Sequence, residues 1–519
     1  MYMTQGLHRA LQQRADAIAT VSNGRRRTWR VLAERVARLA GALRALGVAA
    51  DDRVGMLALN SDRYLEFELA TWWAGGAINP VNVRWSPAEI AYSLDDCQTA
   101  VLLVDDAHAA LVPELRERSR ALRTVIHAGD GAEPPAGMPG YEALVAGSDP
   151  VPDALRSGAD LAAVMYTGGT TGFPKGVMLT HANLFQSVLQ TLAEDCVEPG
   201  GVGLLSSPMF HVAGLALSNM LLFAGSTLVF LPAFDPLAVL EAIHRERADT
   251  TFLAPTMLQR TVDHPQAGEF DLSSLKVLMY GASPISEAVL DRAIHRLSNA
   301  RFIQAYGMTE LSPTATILPG WHHTPEGRRA GKVRSAGRAA FASEVRIVDA
   351  ADDEVPRGTI GEIAVRSPGI MRGYWNKPAE TAAAIRGGWM HTGDAGYMDA
   401  DGFVFVVDRI KDMIVTGGEN VYSVEVENAI ATHPAVAICA VIGVPDEQWG
   451  ERVHAVVTLK PGASLDEADL RAHCKTLIAG YKCPRSAEFI DALPMSGPGK
   501  VLKSELRRRY WGGRERNVN

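Results

Sequence analysis

Short apolar runs alternating with helical stretches of amphipathic spacing are the feature that most restricts what this chain can fold into. Leu32, Val36, Leu39 and Leu43 recur at helical spacing after Arg27-Thr28-Trp29, so that segment reads as a helix with one buried face. Residues 53–59 then read as a buried strand, 64–76 as a helix and 100–105 as a strand. The pattern repeats with strands near 162–166, 227–231, 251–254 and 276–280, and helices between them. Strand, helix and strand in succession predict a mostly parallel sheet covered by helices, an α/β class. Residues 129–151, rich in Gly, Pro and Ala, read as a link. From Gly331 onward the texture changes to short strands and glycine turns (343–348, 361–365, 402–407), which predicts a small, partly antiparallel, barrel-like subdomain. Beyond Asp408-Arg409 come a helix (424–432), strands (435–444, 452–459), a helix (470–481) and a short strand (487–489), a compact C-terminal α+β unit. The expected domains are 1–409 and 410–519, consistent with a chain of 519 residues that exceeds one simple core.

Composition removes several classes. Lys and Arg number 51 against 59 Asp and Glu, a net charge of −8. That argues against a nucleic-acid partner while allowing a local basic funnel for an anion. With 47% hydrophobic and 21% charged residues the chain is neither disordered nor fibrous. Cys97, Cys196, Cys439, Cys474 and Cys483 are odd in number and form no C-x-x-C, which points to free thiols in a reducing, cytoplasmic setting. Residues 1–20 carry Arg9 and Arg14 and lack the apolar centre of a signal peptide. Residues 212–232 are uncharged and long enough to span a bilayer. Gly214, Ser218, Asn219, Gly225, Ser226 and Thr227 interrupt them, so they read instead as a helix, a turn and a strand, and no transmembrane segment is expected. The terminal arginines Arg507, Arg508, Arg509, Arg514 and Arg516 read as exposed surface.

The sharpest local signal is Tyr166-Thr-Gly-Gly-Thr-Thr-Gly-Phe-Pro-Lys-Gly-Val177, entered from an apolar strand. Gly168, Gly169, Gly172 and Gly176 let backbone approach an anion without interference from a Cβ. Thr167, Thr170 and Thr171 offer hydroxyl donors and Lys175 a mobile positive charge, and successive N–H groups in such a turn form an anion nest. It is not a Walker A loop, because Pro174 precedes the lysine and Gly176 follows it. No G-x-G-x-x-G opens a helix after the first strand, so a dinucleotide fold is excluded.

This loop resembles the nucleotide-binding signature of the AMP-forming adenylating superfamily of acyl-CoA synthetases, peptide-synthetase adenylation domains and beetle luciferases. Further matching blocks follow in order along most of the chain, in character similar to bacterial fatty-acyl and aryl-acid CoA ligases. The resemblance implies a large N-terminal adenylate-forming domain and a small mobile C-terminal domain. It implies that Thr167, Gly168, Gly169, Thr170, Thr171, Gly172 and Lys175 hold the ATP phosphates. Most members carry serine where Gly168 stands; glycine removes one hydroxyl and keeps the turn. In Gln304-Ala-Tyr-Gly-Met-Thr-Glu310 the resemblance places Tyr306 and Gly307 at adenine, Thr309 at phosphate and Glu310 at Mg²⁺. An aromatic face suits a purine, and a carboxylate beside a triphosphate needs a bridging cation. Gly281, Ala282 and Ser283 in Tyr280-Gly-Ala-Ser-Pro284 would line the adenylate and acyl pockets, and Asp394 and Arg409 would hold the ribose.

Leu493-Pro-Met-Ser-Gly-Pro-Gly-Lys-Val-Leu-Lys503 matches the block that carries the family's catalytic lysine, here Lys500, while Lys503 reads as solvated. By the same resemblance the small domain rotates about Lys411 so that Gly417 and Gly418 line a pantetheine tunnel, and His211 gates the junction of acyl and pantetheine sites. The implied reaction joins a carboxylate to ATP as an acyl-adenylate, then passes the acyl group to CoA.

The acyl pocket is expected from Phe210–Gly214, Pro255–Met257, Tyr280–Pro284 and Leu311–Thr314, where Ala213, Gly281, Ala282 and Gly307 are small. These stretches contain no Arg or Lys, which speaks against a dicarboxylate. The aspartate that binds an amino-acid ammonium in adenylation domains is missing. A medium- or long-chain fatty acid is therefore the leading expectation, with an aryl or hydroxycinnamic acid as the alternative. Transfer to a carrier protein, a luciferase-like oxygenase and a binding-only nucleotide sensor are further readings. Oligomeric state is not readable from the sequence, and a homodimer stays open.

Overall fold

The computed structural model describes residues 1–131, 133–167, 174–283, 285–496 and 500–512. Among these, four sheets organise the chain. A seven-stranded sheet has the order Gly373–Tyr374, Lys175–Thr180, Leu161–Thr167, Ala77–Pro80, Arg53–Leu57, Val101–Val104, Thr124–His127. A nine-stranded sheet runs from Arg338–Ala339 through Thr314–Leu318, Arg301–Gly307, Val277–Gly281 and Thr250–Leu253 to Val202–Leu205, Thr227–Phe230, Ile18–Ser22 and Arg25–Thr28. Both are parallel at the centre and antiparallel at an edge, as helical crossovers require. Helices pack between and over them as layers. Glu344–Val348, Gly361–Arg366, Ile385–Arg386, Trp389–Met398 and Val404–Arg409 form a curled antiparallel half-barrel. A separate α+β domain follows, built on the long antiparallel pair Val436–Asp446 and Gly450–Leu459.

Local chemistry explains the elements. The Thr28 hydroxyl accepts from the Val31 N–H and opens the helix Trp29–Ala45, whose Leu32, Val36, Leu39 and Leu43 are buried. Every residue of the helix Asp62–Ala74 is buried; Asp62 pairs with Arg25 and Arg27 and Glu66 with Arg35, whereas Glu68 has no ion-pair partner among the described residues and burial raises its carboxyl well above the usual range. The uncharged run folds as the 13-residue helix Val212–Ala224, a turn at Gly225 and the strand Thr227–Phe230. No helix of the described residues is long and apolar enough to cross a membrane.

Several expectations need correction. The presumed link at 129–151 contains the helix Tyr141–Gly147, because Tyr141 is buried with its hydroxyl donating to Glu66 Oε2 at 2.6 Å. The helix expected at 470–481 is Glu467–Lys475, started by Asp466, whose side chain accepts from the Asp469 N–H. Lys503 is not solvated: its side chain is 14% exposed, and its ammonium lies 2.7 Å from Glu427 and donates to the Ser423 hydroxyl at 2.6 Å. Arg507 is likewise no bland surface residue, since it pairs with Asp412 at 2.7 Å. Arg514 and Arg516 lie outside the described residues.

Removing one partner of a buried ion pair strands the other charge. Lys503→Met should therefore destabilise the C-terminal domain by about 3–5 kcal/mol, and Lys503→Met with Glu427→Met should recover much of that loss. Urea unfolding of the three proteins checks this; a single variant as stable as the parent would show the pair to be solvated.

Candidate active site

Two sheets deliver their side chains to one crevice. In the seven-stranded sheet, Thr167 lies directly opposite Lys175 across an antiparallel pair. On the far side of the Lys175 strand runs Gly373–Tyr374. The Tyr374 hydroxyl donates to Glu310 Oε1 at 2.8 Å, and the Lys175 ammonium stands 5.1 Å from the centre of the same ring. One tyrosine thus fixes a carboxylate and orients a cation. Glu310 sits in the short turn Thr309–Leu311, which follows the strand Arg301–Gly307, and both Thr309 and Glu310 are buried.

Gly281 and Ala305 are register partners on adjacent parallel strands, and a Cβ at 281 would overlap the Ala305 carbonyl oxygen. Glycine therefore lets the two strand ends close up beneath the crevice. Ala282 continues with φ of 67°, turning the chain away beside Ser283.

The half-barrel supplies the next group. Asp394 and Arg409 face each other across two antiparallel strands, with Arg409 Nε 3.3 Å from Asp394 Oδ1. Asp394 Oδ2 accepts from the Tyr306 hydroxyl at 2.7 Å. Residues from three separate stretches of sequence therefore share one carboxylate.

Lys500 enters from the C-terminal domain. Its N–H donates to the Ser496 hydroxyl at 3.0 Å, and the Ser496 carbonyl accepts from Arg84 at 2.6 Å, which ties this segment to the N-terminal region. Burial first, then the positive charge of Arg409, pushes the Lys500 ammonium down to about 8, against the opposing pull of Asp394 and Asp412. His211 caps the helix Val212–Ala224, its Nδ1 accepting from the Ala213 N–H at 3.2 Å. Burial, with a smaller contribution from Lys500, lowers it to about 4, so it is neutral near pH 7. Burial raises the Glu310 carboxyl above its ordinary value, opposed by the Tyr374 hydrogen bond.

A family model described as AMP-binding enzyme matches residues 7–375, and one described as AMP-binding enzyme C-terminal domain matches residues 425–500. The chain belongs to the AMP-binding enzyme family. It is similar to a feruloyl-CoA synthase from Amycolatopsis sp, 41% identical over 495 residues that cover 95% of this chain and 96% of the relative. It is also similar to the fatty acid–[acyl-carrier-protein] ligase ScoC of Streptomyces coeruleorubidus, 36% identical over 506 residues, 96% of this chain and 95% of that one. ATP-bound MatB from Rhodopseudomonas palustris aligns with a TM-score of 0.88 at 31% identity, covering 98% of this chain and 99% of that one. This AMP-binding enzyme is an ATP-dependent, AMP-forming acid–CoA ligase that works through an acyl-adenylate.

Of the residues singled out in the sequence, the AMP-binding enzyme brings together Lys175 with Glu310, and Tyr306, Asp394 and Arg409 with Lys500. Gly168, Gly169, Thr170, Thr171 and Gly172 lie outside the described residues. Lys411 is lowered mainly by burial and next by Arg409. Gly417 and Gly418, with φ of 61° and 85°, form the two-residue turn between Ile414–Thr416 and Glu419–Val421. The contacts of that turn run to Trp449 in its own domain. Sequence reasoning missed Tyr374 and Arg84. Nothing in their spacing marks them, because each acquires its partner only when distant segments pack.

Among the described residues no group of three or more His, Cys, Asp or Glu could hold a metal by itself. Glu310 can supply a single oxygen ligand beside Lys175, which fits Mg²⁺ completed by water and substrate phosphates.

A lysine held near 8 is half uncharged where an ordinary lysine is fully charged. The rate at which an amine-specific reagent labels Lys500 should rise with a midpoint near pH 8, and Arg409→Met should move that midpoint upward. Peptide-level quantification of the label checks this; a midpoint at the ordinary lysine value would place Lys500 in open water.

Proposed function

We propose that the acid activated by this ligase is an apolar monocarboxylate, best represented by aryl and arylpropenoic acids. The observation that carries the reading is the make-up of the expected acyl stretches, in which Ala213, Gly281, Ala282 and Gly307 are small and no Arg or Lys is present to pair a second carboxylate. Likeness to a feruloyl-CoA synthase supports a ring. A medium-chain fatty acid is the second reading, favoured by the lack of Asp, Glu, Lys and Arg in the same stretches, and likeness to ScoC keeps a carrier protein as the alternative acceptor.

In the adenylation step a carboxylate oxygen attacks the α-phosphorus of ATP and pyrophosphate leaves. Lys500 offsets charge on the attacking carboxylate and on the five-coordinate phosphorus, help worth a few kcal/mol in such sites. Asp394, oriented by Tyr306 and Arg409, accepts from the ribose hydroxyls. Lys175, Thr167 and Thr309 hold phosphate oxygens, with Gly281, Ala282, Ser283 and Gly307 close to adenine and acyl group. Mg²⁺, when bound at Glu310, supplies countercharge for the phosphates. His211, being neutral, closes the acyl site without pairing the substrate carboxylate. In the second step the CoA sulfur attacks the acyl carbon and AMP departs. For this the domain 410–519 turns about Lys411, withdrawing Lys500 and presenting Gly417 and Gly418.

Lys500→Ala should lower ATP–pyrophosphate exchange by at least about 100-fold while leaving the melting temperature within error. Parent exchange should fall as pH rises through about 8, because the protonated form is the one that acts. An unchanged rate in the variant would remove Lys500 from the first step. AMP release across benzoate, phenylacetate, cinnamate, ferulate and straight-chain acids from butanoate to octadecanoate, with and without CoA, tests the substrate class. CoA-dependent release with ring acids is expected; release confined to long chains would overturn the ring-acid reading.

A further inference from the structure

The stretch from Met371 to Tyr374 grips Glu310 twice. The Met371 N–H donates to the Glu310 backbone carbonyl at 2.8 Å, and the Tyr374 hydroxyl donates to Oε1 of the same residue at 2.8 Å. Among the described residues no other side chain donates to this carboxylate. Tyr374 is itself held from three sides. Its backbone N–H donates to Thr381 Oγ1 at 2.9 Å, its strand pairs with Val177, and its ring stands 5.1 Å from the Lys175 ammonium. Tyr374 and Glu310 are both buried, so a hydroxyl displaced from Oε1 would be left without an acceptor, which is unfavourable. Oε1 is therefore reserved, and Glu310 offers a cation Oε2 alone. Divalent cations differ in what they ask of a carboxylate. Mg²⁺ accepts single oxygens in a tight octahedron and keeps several waters, whereas Ca²⁺ gathers roughly six to eight oxygens and often claims both from one carboxylate.

We infer that Tyr374 sets which divalent cation accompanies the nucleotide: by holding one oxygen of Glu310 it leaves a one-oxygen ligand that suits Mg²⁺ and disfavours Ca²⁺. This rests on Glu310 being the cation ligand proposed above. Tyr374 acts through Glu310, so it is a positioning residue.

The test is equilibrium dialysis of ATP against the full chain, with no carboxylic acid present, in EDTA, in saturating Mg²⁺ and in saturating Ca²⁺. The parent, Tyr374→Phe and Glu310→Gln are compared, with melting temperatures recorded for each. Dividing the Kd in EDTA by the Kd in each metal reads the cation's contribution and cancels any general loss of nucleotide binding. In the parent Mg²⁺ should tighten binding at least about 10-fold more than Ca²⁺ does. Tyr374→Phe keeps a ring beside Lys175 and frees Oε1, so there the two cations should come to within about threefold of each other. Glu310→Gln should lose most of the tightening by either cation. A parent that does not separate the cations, or a folded Tyr374→Phe that keeps the parent's selectivity, overturns the inference; the loss in Glu310→Gln then still supports Glu310 as the ligand. Tightening that survives intact in Glu310→Gln overturns the ligand assignment and the inference with it, while the ligase reading stands on AMP release. Should Tyr374→Phe melt below the assay temperature, the parent's own Mg²⁺-to-Ca²⁺ ratio decides.

Discussion

A partly dehydrated ammonium at Lys500, placed between a guanidinium and a carboxylate, is the constraint around which the site is arranged. Burial and Arg409 oppose its charge, Asp394 and Asp412 favour it, and the balance leaves it mostly protonated at neutral pH. Among the described residues, Arg409, Lys411 and Lys500 lie within electrostatic reach of Asp394 and Asp412, and Lys175 and Arg409 within reach of Glu310. Such a crevice is short of negative charge until a polyphosphate enters, so its electrostatics suit the charge that develops during reaction better than the empty state.

The connections holding this arrangement differ in strength. Within the small domain Lys503, Glu427 and Ser423 form a buried cluster, and Arg507 with Asp412 forms a second clasp. Asp408, one residue before Arg409, accepts from the Ser423 hydroxyl at 2.7 Å. The cluster therefore anchors at the point where the chain leaves the half-barrel. At the outer end of the domain, the Arg84–Ser496 hydrogen bond is exposed. Strong ties beside Asp408 and an exposed one at the rim are compatible with the swing proposed for this domain.

Most strands and the large helices were legible because their apolar spacing is a local property. The helix Tyr141–Gly147 was hidden by Gly- and Pro-rich flanks, and its stability comes from a tyrosine reaching Glu66, a contact between remote segments. Lys503 was misread for the same reason: Glu427 lies far away in sequence, and a lysine one turn from a functional one looks like surface. In the site, Lys175, Glu310, Asp394, Arg409 and Lys500 could be singled out through their motifs. Tyr374 could not, since its two partners come from opposite sides of the crevice.

The pairing of Thr167 with Lys175 has a bearing on how this protein can change. The two ends of the intervening loop form one rung of a ladder, and the strands that carry them are flanked by further strands, Ala77–Pro80 pairing at Ala163 and Gly373–Tyr374 pairing at Met178 and Val177. The sheet would hold its register whatever residues lie between them. Because closing a slightly longer loop adds little entropy, substitutions and small length changes there should be nearly invisible to folding while altering how an anion is gripped. Glycine at 168, where most of the family has serine, is a variation on which the flanking ladder does not depend.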